Sequence, residues 1–269
     1  MSKQIFPGAE RKLENRAGLR MSMSNSLTMA YRSLLLIRRK PEQLFDVTVQ
    51  PILFTLMFTF LFGGAIAGSV NSYLPILIPG ILVQTVITGS TTTGVQLRED
   101  MDKGVFNRFK SMPISRIAPL AGALLADTIR YGIATSLTFV MGYILGYRWA
   151  TFGGALIGGL LAILSAWCVS WIFAFLGTIA RTASTVQGIS AAILFPLTFL
   201  SSAYVPTSTL PGWLQSFVNV NPVTYLVDAI RQLLNQGTIG NDFLLSIFGM
   251  AAIVAIFAPL AVRAYLRKA

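Results

Sequence analysis

The sequence predicts an all-α polytopic membrane protein with six transmembrane helices. Three observations predict it. The 269 residues are 54% hydrophobic and only 12% charged, a balance foreign to soluble domains. No charged residue lies between Asp46 and Arg98, and that run is too long for one crossing, which needs roughly 20 helical residues. The cations are also unevenly placed. Nine Lys/Arg precede Asp46, five lie between Arg98 and Arg116, Arg181 follows, and three close the chain, against only Arg148 and Arg231 on the other side. The positive-inside rule then puts both termini in the cytosol and the protein in the cell membrane, inner or plasma.

Residues 1–24 are polar and basic and form an extension without a packing pattern. Residues 25–46 read as an interfacial amphipathic helix. Leu27, Ala30, Tyr31, Leu34 and Leu35 share a face, while Arg32, Arg38, Arg39 and Lys40 suit anionic headgroups of membrane lipids. No cleavable signal peptide is expected, since the apolar cluster 34–37 is too short for one. The transmembrane domain is expected over 47–263, with a cytosolic tail at 264–269. Span one is expected at 47–67 and span two at 73–97, with Gly63, Gly64, Gly68, Ser69 and Asn71 marking the turn between them. Pro75 and Pro79 lie early in span two. The hydroxyls of Thr88, Ser90, Thr91, Thr92 and Thr93 are expected to bond back to their own helix, with a polar pore lining as the alternative.

The loop 98–117 is the one long charged interruption. Met101, Val105, Phe106, Phe109 and Met112 fall near one face of a helix, Arg98, Asp102, Lys103, Arg108 and Lys110 cover the rest, and Pro113 stops it. The spacing predicts a cytosolic amphipathic helix over 101–112. It is either a solvated loop or a docking helix whose apolar side chains fill a partner's groove.

Span three is expected at 117–147 and holds Asp127 and Arg130, three residues apart on one helical face. The pair reads as a local neutralising ion pair, with a substrate or proton site as the alternative. Span four, 152–176, carries Gly154 and Gly158, a spacing that lets helices approach closely. Span five is expected at 184–204 and span six at 243–262. Between them, over 205–236, Pro206, Pro211 and Pro222 cut the chain into pieces too short to cross. The two amphipathic pieces predict an external re-entrant helical hairpin, with Trp213 and Tyr225 at headgroup depth and a second i,i+3 pair, Asp228 and Arg231.

Composition also excludes chemistry. There is no His and a single Cys, Cys168, so the usual zinc sites, an internal disulfide and His-dependent triads are out. No Gly-Lys dipeptide is present, hence no Walker A loop. Neither a catalytic residue nor a metal site is expected. Nucleic acid is a poor explanation for the net charge of +11, because the cations flank apolar spans.

Two stretches carry a resemblance that covers about Ser24 to the C-terminus. One runs from Asp100-Met101-Asp102-Lys103-Gly104 through Arg108 to Pro113 and Arg116. The other is Leu210-Pro211-Gly212-Trp213-Leu214, followed by Asn221-Pro222-Val223-Thr224-Tyr225 and Asp228-Ala229-Ile230-Arg231. The chain resembles the permease subunit of ABC-2 type ABC transporters, above all the daunorubicin-resistance-type drug-export permeases. The family more often has Glu where Asp100 and Asp102 stand, and it does not demand the extension before Ser24.

The resemblance implies a dimer, with a second copy or a paralogue, and two separate ATP-binding subunits that hold ATP and Mg. This chain would bind no cofactor of its own. Spans one, two and five would line the central path, and the surface helix and the loop, as a coupling helix, would seat on the ATPases. Asp102, Gly104, Val105, Phe106, Arg108, Phe109, Pro113 and Arg116 are the loop residues so implied. The function implied is ATP-driven export of a hydrophobic small molecule such as a drug or antibiotic. Export of a lipid or lipid-linked glycan is the alternative within the family, and an ion-coupled transporter the alternative outside it. The sequence shows no convincing inverted repeat of the kind such transporters carry.

Overall fold

The computed structural model describes residues 27–31, 41–104 and 117–268, with side chains from 48 onward in the first long helix. All regular structure among the described residues is helical. Helix α1 spans Pro41–Ala67 and opens on a proline, which has no N–H to leave unpaired. Gly68 and Ser69 turn the chain, and the Ser69 hydroxyl caps α2, Val70–Gly89, by accepting from Ser72 N at 3.2 Å. Every residue from Leu77 to Ile87 is buried, which fits a run that is apolar on all sides.

The ladder opens at Ser90, and α3, Thr91–Asp102, continues beyond it. Ser90 Oγ donates to Ile87 O at 2.5 Å and Thr91 Oγ1 to Thr88 O at 2.9 Å, the local back-bonding expected of that hydroxyl run. Helix α4, Ala118–Ile144, is followed by α5, Phe152–Ile179, and α6, Ala183–Phe199. A 3-10 turn at Thr207–Thr209 precedes α7, Gly212–Val220, α8, Pro222–Gln236, and α9, Asn241–Lys268.

Helix α5 is the hub, touching α2, α3, α4, α6, α8 and α9. Its small residues make this possible. A Cβ on Gly94 of α3 would collide with the Phe173 carbonyl, and one on Gly177 with the Gly94 backbone. Only glycine at both positions lets α3 and α5 run backbone to backbone. Gly154 and Gly158 serve α8 in the same way, facing the Leu233 carbonyl and the Leu234 side chain. On the outside, α9 exposes Leu244, Leu245, Phe248 and Ile256, and α1 exposes Leu53, Phe60 and Leu61. Apolar faces of that extent belong against lipid rather than water. The protein is a multi-pass membrane protein.

Among the described residues, four helical stretches are long and apolar enough to cross a bilayer: Thr48–Ala67, Val70–Asp102, Phe152–Ile179 and Asn241–Lys268. Helix α4 has the length, 27 residues or about 40 Å, but Asp127 and Arg130 dilute its apolar character. Helix α6 is 17 residues, shorter than the 184–204 span expected. It ends early because the chain after Phe199 is used differently. Ser201, Ser202, Ala203 and Tyr204 are buried as a loop against α2, where Gly80 lies on the Ala203 backbone.

The cytosolic helix expected to begin at Met101 also needs correction. Helix α3 runs on to Asp102 and stops, and Gly104 adopts a left-handed φ of 66°, the usual way to terminate a helix. Met101 is thus in the last turn of α3 and does not open a separate helix.

These contacts generate a test. Gly94→Ala should destabilise the protein by about 1–3 kcal/mol through overpacking. Gly132→Ala, with no atom within 4 Å of the added Cβ, should leave thermal unfolding in detergent unchanged.

Candidate functional site

Three clusters of polar side chains interrupt the apolar bundle. The first sits where α3, α5 and α9 end. Leu97, Leu120, Leu124, Ala174, Ala261 and Tyr265 form a small separate core. Around it Arg98 Nη1 donates to Ala180 O at 2.9 Å and Nε to Asp102 Oδ1 at 3.0 Å, and Lys268 Nζ donates to Thr178 O. Lys103 Nζ donates to Glu99 at 2.9 Å, which holds its ammonium above the ordinary lysine value. The helical turn at 27–31 lies here too, since Gly122 of α4 receives the Met29–Ala30 backbone, with Ala30 buried and Tyr31 65% exposed. Asp102 and Gly104 thus stand at the mouth of the charged loop. Val105, Phe106, Arg108, Phe109, Pro113 and Arg116 lie outside the described residues, as do Arg32, Arg38 and Arg39.

The second cluster is deep in the bundle. Arg130 Nη1 donates to Asp127 Oδ1 at 2.8 Å, and both side chains are 2% exposed. This is the local ion pair that the i,i+3 spacing suggested. Asp127 has a further partner that the spacing does not reveal: Thr93 Oγ1 donates to its Oδ2 at 2.5 Å. Tyr131 joins α4 to α5 through Ser170 at 2.6 Å. Ser170 gives its own proton to Ala166 O, so Tyr131 is the donor. Arg130 Nε and Nη2 have no hydrogen-bond partner.

The third cluster surrounds α8. Pro79 has no N–H to offer the carbonyl four residues back, at Pro75. Asn235 Nδ2 donates to that carbonyl at 2.9 Å, while its Oδ1 accepts from Tyr147 at 2.6 Å. Asn221 serves two helix ends at once. Its Nδ2 donates to the Leu197 and Leu200 carbonyls at the end of α6, and its Oδ1 caps α8 by accepting from Val223 N at 2.9 Å. Asp228 Oδ1 accepts from Arg231 Nη1 at 2.5 Å and from Ser202 at 2.8 Å, and Arg231 Nη2 donates to Ser202 O at 2.5 Å. A cavity of about 230 Å³ opens beside Asp228, Arg231 and Asp242.

The two arms of the expected hairpin are unequal. Helix α7 buries only Val218 and leaves Trp213 76% exposed, whereas α8 is wedged between α2, α5 and α9 with eight buried residues. Tyr225 is half-buried and donates to Asn219 O at 2.7 Å. Pro211 and Pro222 stand where the breaks were expected, at the starts of α7 and α8.

Residues 25–235 match the family model described as ABC-2 type transporter. The chain belongs to this family. It is 41% identical to the daunorubicin resistance ABC transporter permease protein DrrB1 of Streptomyces coeruleorubidus, over 92% of this chain and 88% of that one. It is 29% identical to the probable doxorubicin resistance ABC transporter permease protein DrrC of Mycobacterium tuberculosis, over 90% and 89%. It is 27% identical to the putative transport permease ycf38 of Cyanophora paradoxa, over 77% and 73%. An ABC-2 permease is not itself an enzyme. It works with ATP-binding subunits, and ATP hydrolysis lies in that partner.

Sequence reasoning singled out Asp127, Arg130, Asp228 and Arg231 but missed what Thr93, Asn221 and Asn235 bond to. A polar side chain inside an apolar run was the available signal for each, but the signal does not say what the side chain reaches. Two outcomes follow for stability. Asn235→Leu strands the Pro75 carbonyl and the Tyr147 hydroxyl, at about 1–3 kcal/mol for each, and lowers the unfolding midpoint in lipid nanodiscs. Asp127→Leu leaves a buried guanidinium unpaired and costs about 3–5 kcal/mol, and adding Arg130→Met recovers most of that loss.

Proposed function

We propose that this chain is the transmembrane subunit of an ATP-driven exporter that moves a hydrophobic small molecule, such as a drug or antibiotic, out of the cell. The observation that carries the reading is similarity along nearly the whole chain to a permease whose name includes daunorubicin resistance. In this reading the bundle has six spans, with α4 and α6 joining the four longer apolar stretches, and both termini lie in the cytosol. Segment 205–236 forms an outer re-entrant element. Two ATP-binding subunits carry ATP and Mg, and a second permease copy or paralogue completes the path. Support for that second copy comes from α6, which is buried only along Val186, Ser190, Leu194 and Thr198.

The loop 98–117 is the proposed seat of the ATP-binding subunit, with Val105, Phe106 and Phe109 as its apolar anchors. Leaving such groups in water forgoes roughly 1.5–3 kcal/mol each relative to burial. Asp102, Arg108 and Arg116 would form a polar rim, and Gly104 the turn that redirects the chain from α3 into the loop. The segment 25–40, with Tyr31 and its arginines, would lie on the inner leaflet, since residues 41–46, expected in that interfacial helix, instead begin α1.

The function is tested by co-expressing the chain with its ATP-binding subunit and loading the cells with daunorubicin. ATP-dependent efflux well above that of cells lacking the permease is expected, and equal retention in both sinks the reading. The double variant Phe106→Ala, Phe109→Ala should insert normally but lose co-purifying ATP-binding subunit, as for a contact worth a few kcal/mol. Topology is checked by labelling Lys103→Cys in a Cys168→Ser background. Reaction from the outside of intact cells would reverse the assigned orientation.

A further inference from the structure

We infer that Thr93 is a positioning residue of the transport cycle: its bond to Asp127 locks α3 onto α4, so that α3 carries displacements of the cytosolic loop into the membrane interior. The inference rests on the proposed function for the loop's contact with an ATP-binding subunit.

The hydroxyl's choice of partner is the first argument. Thr55, Thr128, Thr138, Ser170, Ser190 and Thr198 all donate to the carbonyl four residues back in their own helix, the usual resting place of a hydroxyl in an apolar helix. Thr93 forgoes that local bond. It is fully buried and donates across to Asp127, 34 positions away, on a different helix.

The second argument is the way α3 is held. Lengthwise its tie to α2 is interrupted at Ser90, where hydroxyls occupy the Ile87 and Thr88 carbonyls. Sideways it is held at several heights. Arg98 reaches the Ala180 carbonyl at the water end, and Gly94 lies on the backbone of α5 without a directional bond. Thr93–Asp127 is the directional bond at the inner end, and Asp127 is itself anchored by Arg130. At its other end α3 leads through Asp102 and Gly104 into the loop. A short rod with one end in the loop, a break at the other and a bond beside the break transmits motion only while that bond holds. Without it, α3 rocks at Ser90 and the displacement dissipates.

The test is independent of cargo. Hydrogen exchange is followed in the full-length permease in lipid nanodiscs, alone and with the ATP-binding subunit plus ATP. For the permease alone, Thr93→Val should speed exchange over 91–102 about tenfold, the loss of one buried hydrogen bond. Thr93→Ser should restore the wild-type rate. In the complex, ATP should change exchange over 77–87 in wild type and Thr93→Ser but not in Thr93→Val.

Unchanged exchange over 91–102, loosening spread through the whole bundle, failure of Thr93→Val to fold, or a Thr93→Ser variant that behaves like Thr93→Val would each overturn the inference. So would an ATP response over 77–87 that survives Thr93→Val. A wild-type complex that does not assemble counts against the proposed function instead, and the lock is then decided by exchange in the permease alone.

Discussion

Inside a bilayer no water is available for a backbone carbonyl that loses its helical partner, and this chain places prolines in the middle of its helices. Pro51, Pro75, Pro79, Pro196 and Pro259 all interrupt ladders. An unpaired polar group in hydrocarbon costs several kcal/mol. At Pro79 and at the end of α6 the structure answers with side chains placed from far along the chain. Asn235 replaces the donor that Pro79 lacks, and Asn221 closes the open end of α6 while starting α8. The irregular stretch after Phe199 exists inside the protein only because Asn221, Ser201, Ser202 and Arg231 satisfy it. Helix α8 is the consequence of that need. It is too short to cross, yet it is buried because it brings these side chains to α2 and α6.

The two Asp-x-x-Arg pairs are used alike. Each holds its charge locally, which lowers the cost of carrying it in a low-dielectric interior, and then lends remaining donors or acceptors to a neighbouring segment. Asp127 receives Thr93 from α3, and Arg231 reaches Ser202 and Ile76. One pair therefore organises the end of the second apolar stretch next to the charged loop and the other its opposite end.

Much of this was legible in the sequence, and the limits are physical. Apolar run length and cation placement located α1, α2, α5 and α9, because burial and lipid contact both demand such runs. Periodicity found α7 and α8 as short helices, and Gly154 and Gly158 announced a close contact. Periodicity did not say that α7 would stay exposed while α8 sank into the bundle, because that difference depends on what Asn221 and Asn235 reach. The end of α6 was placed about one turn late, since Ser201–Tyr204 looks as helical as its neighbours until its hydrogen bonds are traced. Gly104 carried the sign of a helix stop, but the apolar spacing around it suggested continuity. Thr93 looked like one hydroxyl among five.

The Asn235 bond to Pro75 has a further consequence, for biosynthesis. Its two ends are separated by 160 residues, and the chain emerges from the ribosome in order. The second apolar stretch therefore enters the bilayer with an open carbonyl and waits there until α8 has been made. During that interval the helix is metastable, and its polar notch needs a temporary companion, whether water held at the insertion machinery or another nascent segment. Native closure belongs to the last third of synthesis, as expected for topologies rich in distant contacts.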